Sequence, residues 1–134
     1  MRFFAMNIPS FDPERNYLVY VVDMQEAIDL IQQYTHEMTE VVFSQNRAIQ
    51  DAVVQRIQII GEAASHIPNI IREQFSDIPW KKIVAMRNLL IHDYAHVDEH
   101  EVWRVAKEDI PLLRPQLVHV KKSLDSGQLK LKMT

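Results

Sequence analysis

The sequence predicts an all-α fold, an antiparallel up-and-down bundle of four or five helices. Three observations carry that prediction. Apolar residues recur every three or four positions almost throughout the 134 residues. Only two glycines occur, Gly61 and Gly127, too few for the turns of a hairpin-rich β protein. The breaks between periodic segments are short, which joins neighbouring helices antiparallel. The length suits a single domain over residues 1–134.

The first helix is read from the stripe Tyr17, Val21, Met24, Ile28 and Ile31, with Asp12 as its N-cap and Pro13 at its first position. The second carries Ile49, Val53, Ile57, Ile60, Ala64 and Ile67 and ends near Pro68. Gly61 sits inside it, where glycine costs about 1 kcal/mol relative to alanine, so close approach of another helix is expected there. Asn69 to Phe75 makes one or two further turns, and Pro79 pushes the residue before it out of the α region.

The fourth helix is expected from about Trp80 to Tyr94, with Trp80, Ile83, Val84, Leu90 and Ile91 as its apolar members. The fifth starts at Asp98, which with Glu101 reads as a capping box. Its stripe is Val102, Ala106, Ile110, Leu113, Leu117, Val120 and Leu124, and Pro111 and Pro115 must kink or divide it. Trp80 and Trp103 are expected as core or dimer-interface anchors. The polar, basic end, residues 126–134, is expected to be a flexible tail.

Composition narrows function. The chain is 47% hydrophobic and 25% charged, with net charge −3 and no cysteine. It lacks disulfides and thiolate zinc ligands, and nothing calls for an oxidising compartment. No apolar run approaches the roughly 20 residues that span a bilayer, and "MRFFAMNIPSF" is too soon broken by Pro9 for a signal peptide. A cytoplasmic protein is expected. The acidic balance argues against a broad, sequence-blind nucleic-acid binder but leaves room for a local phosphate site.

Such a site is suggested by "MRNLLIHDYAHVD", Met86 to Asp98. Arg87 and His92 lie about 140° apart around a helix and about 7.5 Å apart along it. Tyr94 returns to the face of Arg87, and Asn88 shares a face with His92. Cleaving RNA without a metal needs a base for the 2′-hydroxyl, an acid for the leaving 5′-oxygen and a cation for the phosphorane. Histidine serves either proton role near neutral pH, and the arginine fork fits phosphate oxygens. A two-fold dimer would supply two of each. Spacing alone also fits a structural role: Arg87 paired with Glu62 or Glu73, and His92 hydrogen-bonded in the core.

The wider pattern decides between them. "DAVVQRIQIIGEAA", "IPWKKIVAMRNLLIHDY" and "VDEHEVWRVAKEDIPLLRPQL" together resemble the HepT branch of the HEPN superfamily, over roughly Tyr17 to Leu124. The resemblance implies a dimeric, HEPN-like, prokaryotic toxin of the type VII HepT/MntA toxin–antitoxin kind. It implies a metal-independent endoribonuclease in which Arg87 and His92 are catalytic, with Asn88 and Asp93 as supporting motif residues. Tyr94 matches the tyrosine that a cognate MntA-like nucleotidyltransferase antitoxin modifies with AMP. An adenylyl group there would set a phosphodiester beside the Arg87 guanidinium and compete with RNA. The implied partners are a second copy, the antitoxin and RNA, with no cofactor, no metal and no membrane.

Other patterns carry less. His92, His96 and His100 recur every four residues, a metal-site spacing. The Asp98 cap breaks that helix, so His96 and His100 are expected in solvent. Asp93 either orients His92 or faces solvent. Lys81, Lys82, Arg104 and Lys107 are either a shallow basic rim or ordinary surface charges. The alternative to a ribonuclease is a non-catalytic helical module that binds a nucleotide or a protein in the same cleft.

Overall fold

The computed structural model describes residues 13–126. Seven α-helices run through them: α1 (Pro13–Thr35), α2 (Glu40–Ser44), α3 (Arg47–Ser65), α4 (Asn69–Gln74), α5 (Trp80–Asp93), α6 (Glu99–Arg104) and α7 (Ile110–Asp125). No strand occurs among the described residues. Helix α3 packs between α1 and α5, and α1 packs on α7. The predicted stripes form the core. Val21, Met24, Ile28 and Ile31 of α1, Val53, Ile57, Ile60 and Ala64 of α3, and Leu113, Leu117 and Val120 of α7 are all buried. Asp12 and the predicted tail beyond Ser126 lie outside the described residues.

Helix α2 has no counterpart in the periodic pattern because five residues are too few to show one. Its ends are set by side-chain chemistry. The Thr39 hydroxyl accepts from the Val42 N–H at 3.2 Å, and the Asn46 side-chain amide oxygen, Oδ1, opens α3 by accepting from the Ile49 N–H at 3.0 Å. Between them Phe43 is buried, 5.1 Å from the half-buried Trp103 ring. Trp80 is a core anchor, and its indole N–H donates to the Phe75 carbonyl at 3.1 Å.

Three boundaries differ from expectation. Helix α5 ends at Asp93, whose φ of −145° and ψ of 33° break the helical phase, and Tyr94–His96 form a 3₁₀ turn. Asp98 caps α6 by accepting from the His100 N–H at 2.9 Å, yet Glu101 does not complete a capping box, since its carboxylate takes Arg104 at 2.8 Å. Pro111 does not interrupt the last helix. It lacks an N–H, and its ring crowds the carbonyl four residues back, so Val105–Asp109 widen into a π turn that joins α6 to α7. Val102, Ala106 and Ile110 stay buried across that turn, and Pro115 lies exposed within α7.

The bundle is not closed on all sides. A groove of about 670 Å³ separates α5 from α7, with Ile83, Met86 and Leu89 on one wall and Leu112 and Leu113 on the other. Leu89 and Leu112 are 46% and 69% exposed. Ile91, expected among the core members of the fourth helix, is 52% exposed, because the part of α5 that meets α3 is used by Ile83, Arg87 and Leu90.

Candidate functional site

Helices α3 and α5 cross at Gly61. A Cβ there would lie 2.2 Å from the Cβ of Arg87 and 3.1 Å from the Ile83 carbonyl oxygen. The glycine predicted to mark a close helix approach therefore faces the candidate arginine itself. With the backbones this near, the Arg87 side chain runs across α3, and Nη1 donates to Oε2 of Glu62 at 2.6 Å. Glu73 is not its partner.

The Arg87 side chain is only 20% exposed, and its Nε is buried with no hydrogen-bond partner among the described residues. An unpaired buried donor costs about 1–3 kcal/mol. Glu62 is more open, and its other oxygen, Oε1, meets His66 Nε2 at 3.2 Å. The imidazole of His66 stacks on the Tyr20 ring of α1, with centroids 4.6 Å apart and planes 11° apart. A line of contacts thus runs Arg87, Glu62, His66, Tyr20. Of its members beyond Arg87, sequence reasoning weighed only Glu62. The signal for His66 was its position four residues after Glu62 on one helix.

Tyr94 also turns toward α3, but to its other end. Its hydroxyl donates to Asp51, the Arg47 Nε donates to the same carboxylate at 3.0 Å, and the Arg47 guanidinium lies 5.5 Å from the ring centroid. The phenol's hydrogen bond, helped by Arg47, holds the Asp51 carboxyl below the usual range. Burial, then the Asp51 hydrogen bond and charge, push the Tyr94 phenol above its ordinary value. A cavity of about 190 Å³ adjoins the ring, lined by Arg47, Gln50, Val54, Val97 and Val102. Asp51 and Glu62 are separated by about 16 Å of helical rise. The expectation that a group on Tyr94 sits beside the Arg87 guanidinium is therefore not met within one chain: both residues face α3, about three turns apart.

His92 and Asn88 are exposed, and among the described residues neither makes a side-chain hydrogen bond. Arg87 is turned onto α3 while His92 is exposed, in keeping with their separation of about 140° around the helix, and among the described residues no contact joins the pair. Asp93 pairs with His96 at 2.6 Å and so does not orient His92. His100 pairs with Glu40 of α2, and that contact raises its pKa. Among the described residues no group of three or more His, Cys, Asp or Glu side chains converges as metal ligands would. Of the proposed basic rim, Lys81 and Lys82 are exposed. Arg104 is tied to Glu101 and Asp109, and Lys107 Nζ donates to the Thr35 carbonyl at 3.3 Å.

The profile of a family described as "Ribonuclease HepT-like" matches residues 24–120. The chain belongs to the HepT-like ribonuclease family. Within that family it is 38% identical over 109 residues to a "Probable ribonuclease HepT" of Thermococcus cleftensis, an alignment covering 81% of this chain and 99% of that protein. It is 37% identical over 113 residues to a "Putative RNase" of Methanocaldococcus jannaschii, covering 84% and 93%. A third relative, also from Methanocaldococcus jannaschii and named "Gamma-glutamylcyclotransferase and putative RNase", is 40% identical over 110 residues. The match covers 82% of this HepT-like chain and only 50% of that longer protein. No solved structure matches the chain at a significant level. Among the described residues no helix is long and apolar enough to cross a membrane.

Proposed function

We propose that this HepT-like protein is a metal-independent endoribonuclease, the toxin of a type VII HepT/MntA-like pair, with Arg87 and His92 as its catalytic residues. The observation that carries this reading is the seat of Arg87. A glycine and a carboxylate on α3 hold a largely buried guanidinium at a helix crossing, an arrangement that folding alone does not favour. Arg87 would stabilise the phosphorane, and His92 would transfer a proton near neutral pH.

Because Arg87 and His92 leave α5 in different directions, the reading requires a second copy to complete each site. The unfilled groove between α5 and α7, with Leu89 and Leu112 open on its walls, supports a homodimer seated there. Tyr94 is the proposed acceptor of AMP from the antitoxin. A phosphodiester on its oxygen loses the donor that Asp51 accepts and adds a second anion beside that carboxylate. Modification then acts by driving the phenol and the turn Tyr94–His96 away from α3, two residues beyond His92.

The test uses purified protein with total RNA and EDTA, beside Arg87→Ala and His92→Ala. Cleavage that survives chelation and falls about 10²–10⁴-fold in His92→Ala is expected, the usual scale for an acid–base group. Equal background activity in all three proteins sinks the reading in favour of a non-catalytic binding module. Tyr94→Phe should stay active and escape the antitoxin. Full silencing of that variant would remove modification from the mechanism.

A further inference from the structure

Metal-free transphosphorylation needs a base within reach of the 2′-hydroxyl when the phosphate is on the cation. Among the described residues the ionisable acceptor that meets Arg87 is Glu62, 2.6 Å from Nη1. Its carboxylate is held on both sides, Oε2 by Arg87 and Oε1 by His66, whose ring is in turn stacked on Tyr20. It is nonetheless half exposed, with a side-chain exposure of 56%, so a substrate reaches Arg87 from the Glu62 side. Arg87 Nη2 makes no hydrogen bond among the described residues, which leaves it for a phosphate oxygen. Each carboxylate oxygen has a second lone pair for the hydroxyl proton. His92 is exposed on α5 and makes no side-chain hydrogen bond at this crossing among the described residues.

We infer that Glu62 is the general base of the reaction and His92 its acid. The 2′-O–H proton passes to the Glu62 carboxylate as the 2′-oxygen bonds to phosphorus. The bond from phosphorus to the 5′-oxygen breaks, and that oxygen takes its proton from the His92 imidazolium. The products are a 2′,3′-cyclic phosphate and a 5′-hydroxyl; Glu62 then releases its proton to water and His92 takes one up from water, which restores both groups. One histidine per site is sufficient, in contrast to a scheme with two.

This assignment rests on the ribonuclease reading, and its test separates the two. The rate of cleavage of a fluorogenic RNA oligonucleotide is followed against pH for the full chain, for Glu62→Gln and for His66→Gln, with folding checked by thermal melting. The groups facing Glu62 are Arg87 from α5 and His66 on its own helix, with Tyr20 of α1 behind the imidazole. The expected result is an acidic limb in the wild-type profile that survives in His66→Gln and disappears in Glu62→Gln. The turnover of Glu62→Gln should fall about 10²–10⁴-fold. Persistence of the limb in Glu62→Gln, or its loss in His66→Gln, overturns the assignment while leaving the ribonuclease standing. Absence of cleavage by the wild type overturns both. Should Glu62→Gln not fold, Glu62→Ala with added formate or acetate decides. A base role predicts rescue that grows with the basicity of the acid added, and a purely structural role predicts no such trend.

Discussion

Gly61 and Arg87 meet where α3 crosses α5, and only one of the two positions has room for a Cβ. Helix propensity alone would favour Gly61→Ala by about 1 kcal/mol. The added methyl instead falls 2.2 Å from an atom fixed to the α5 backbone, and overpacking of this kind costs about 1–3 kcal/mol. Gly61→Ala should lower the urea midpoint and reduce RNA cleavage together, because separating the helices unseats Arg87 from Glu62. A variant as stable and as active as the wild type contradicts this account.

Arg87→Lys keeps the charge and loses the fork. A single ammonium cannot hold Glu62 and present a second donor to phosphate in the fixed geometry of a guanidinium. RNA cleavage should drop by at least about tenfold while the melting temperature changes little, since Nε contributes no hydrogen bond to the fold. Activity equal to wild type would show that charge alone is required at position 87.

Burial, then the hydrogen bond and charge of Asp51, keep the Tyr94 phenol protonated to higher pH than usual. Asp51→Asn removes the charge, so the phenol should ionise at lower pH than in the wild type. Phenolate absorbance during an alkaline titration, with Tyr94→Phe as the reference that removes the signal, measures the difference. No shift between wild type and Asp51→Asn would mean burial alone sets the value.

His100 links α6 to Glu40 of α2, and this contact raises its pKa above the ordinary 6.5. A histidine with a raised folded pKa contributes stability that is fully present below the unfolded value and is lost as pH rises through the folded one. The gap in melting temperature between wild type and His100→Ala should therefore be widest below the ordinary histidine value of about 6.5 and close as pH rises through the raised folded value. A gap that is constant with pH places the effect in packing instead.

Leu112→Glu puts a charge on the more exposed wall of the groove between α5 and α7. Sedimentation should show a dimer for the wild type and a monomer for this variant, with RNA cleavage lost in parallel. A Leu112→Glu protein that remains dimeric and active moves the interface elsewhere.

The long helices were legible because each buries a single stripe over many turns, as Val21, Met24, Ile28 and Ile31 do. Helix α2 was not, since its five residues are defined by the Thr39 and Asn46 caps. The π turn was anticipated only as a fault at Pro111, because periodicity does not say how a backbone absorbs a missing N–H. At the candidate site the sequence pointed to Arg87 and to a close approach at Gly61 as separate facts. Their meeting depends on how two helices cross, which no local spacing encodes. Arg87 and Tyr94 both turn toward α3, but helical phase ends at Asp93 and carried no information on which end of α3 each would meet, and so Asp51 and Arg47 were missed.

The unpartnered Nε of Arg87 has a consequence for evolution of the chain. Met at position 87 would fill the same space without a buried donor but would give up the pair with Glu62, so Arg87→Met should change stability little and abolish activity. Selection for folding alone would then discriminate only weakly between the two residues. The arginine persists at this crossing only while something other than stability rewards it, which makes the position a sensor of whether a given copy is still in use.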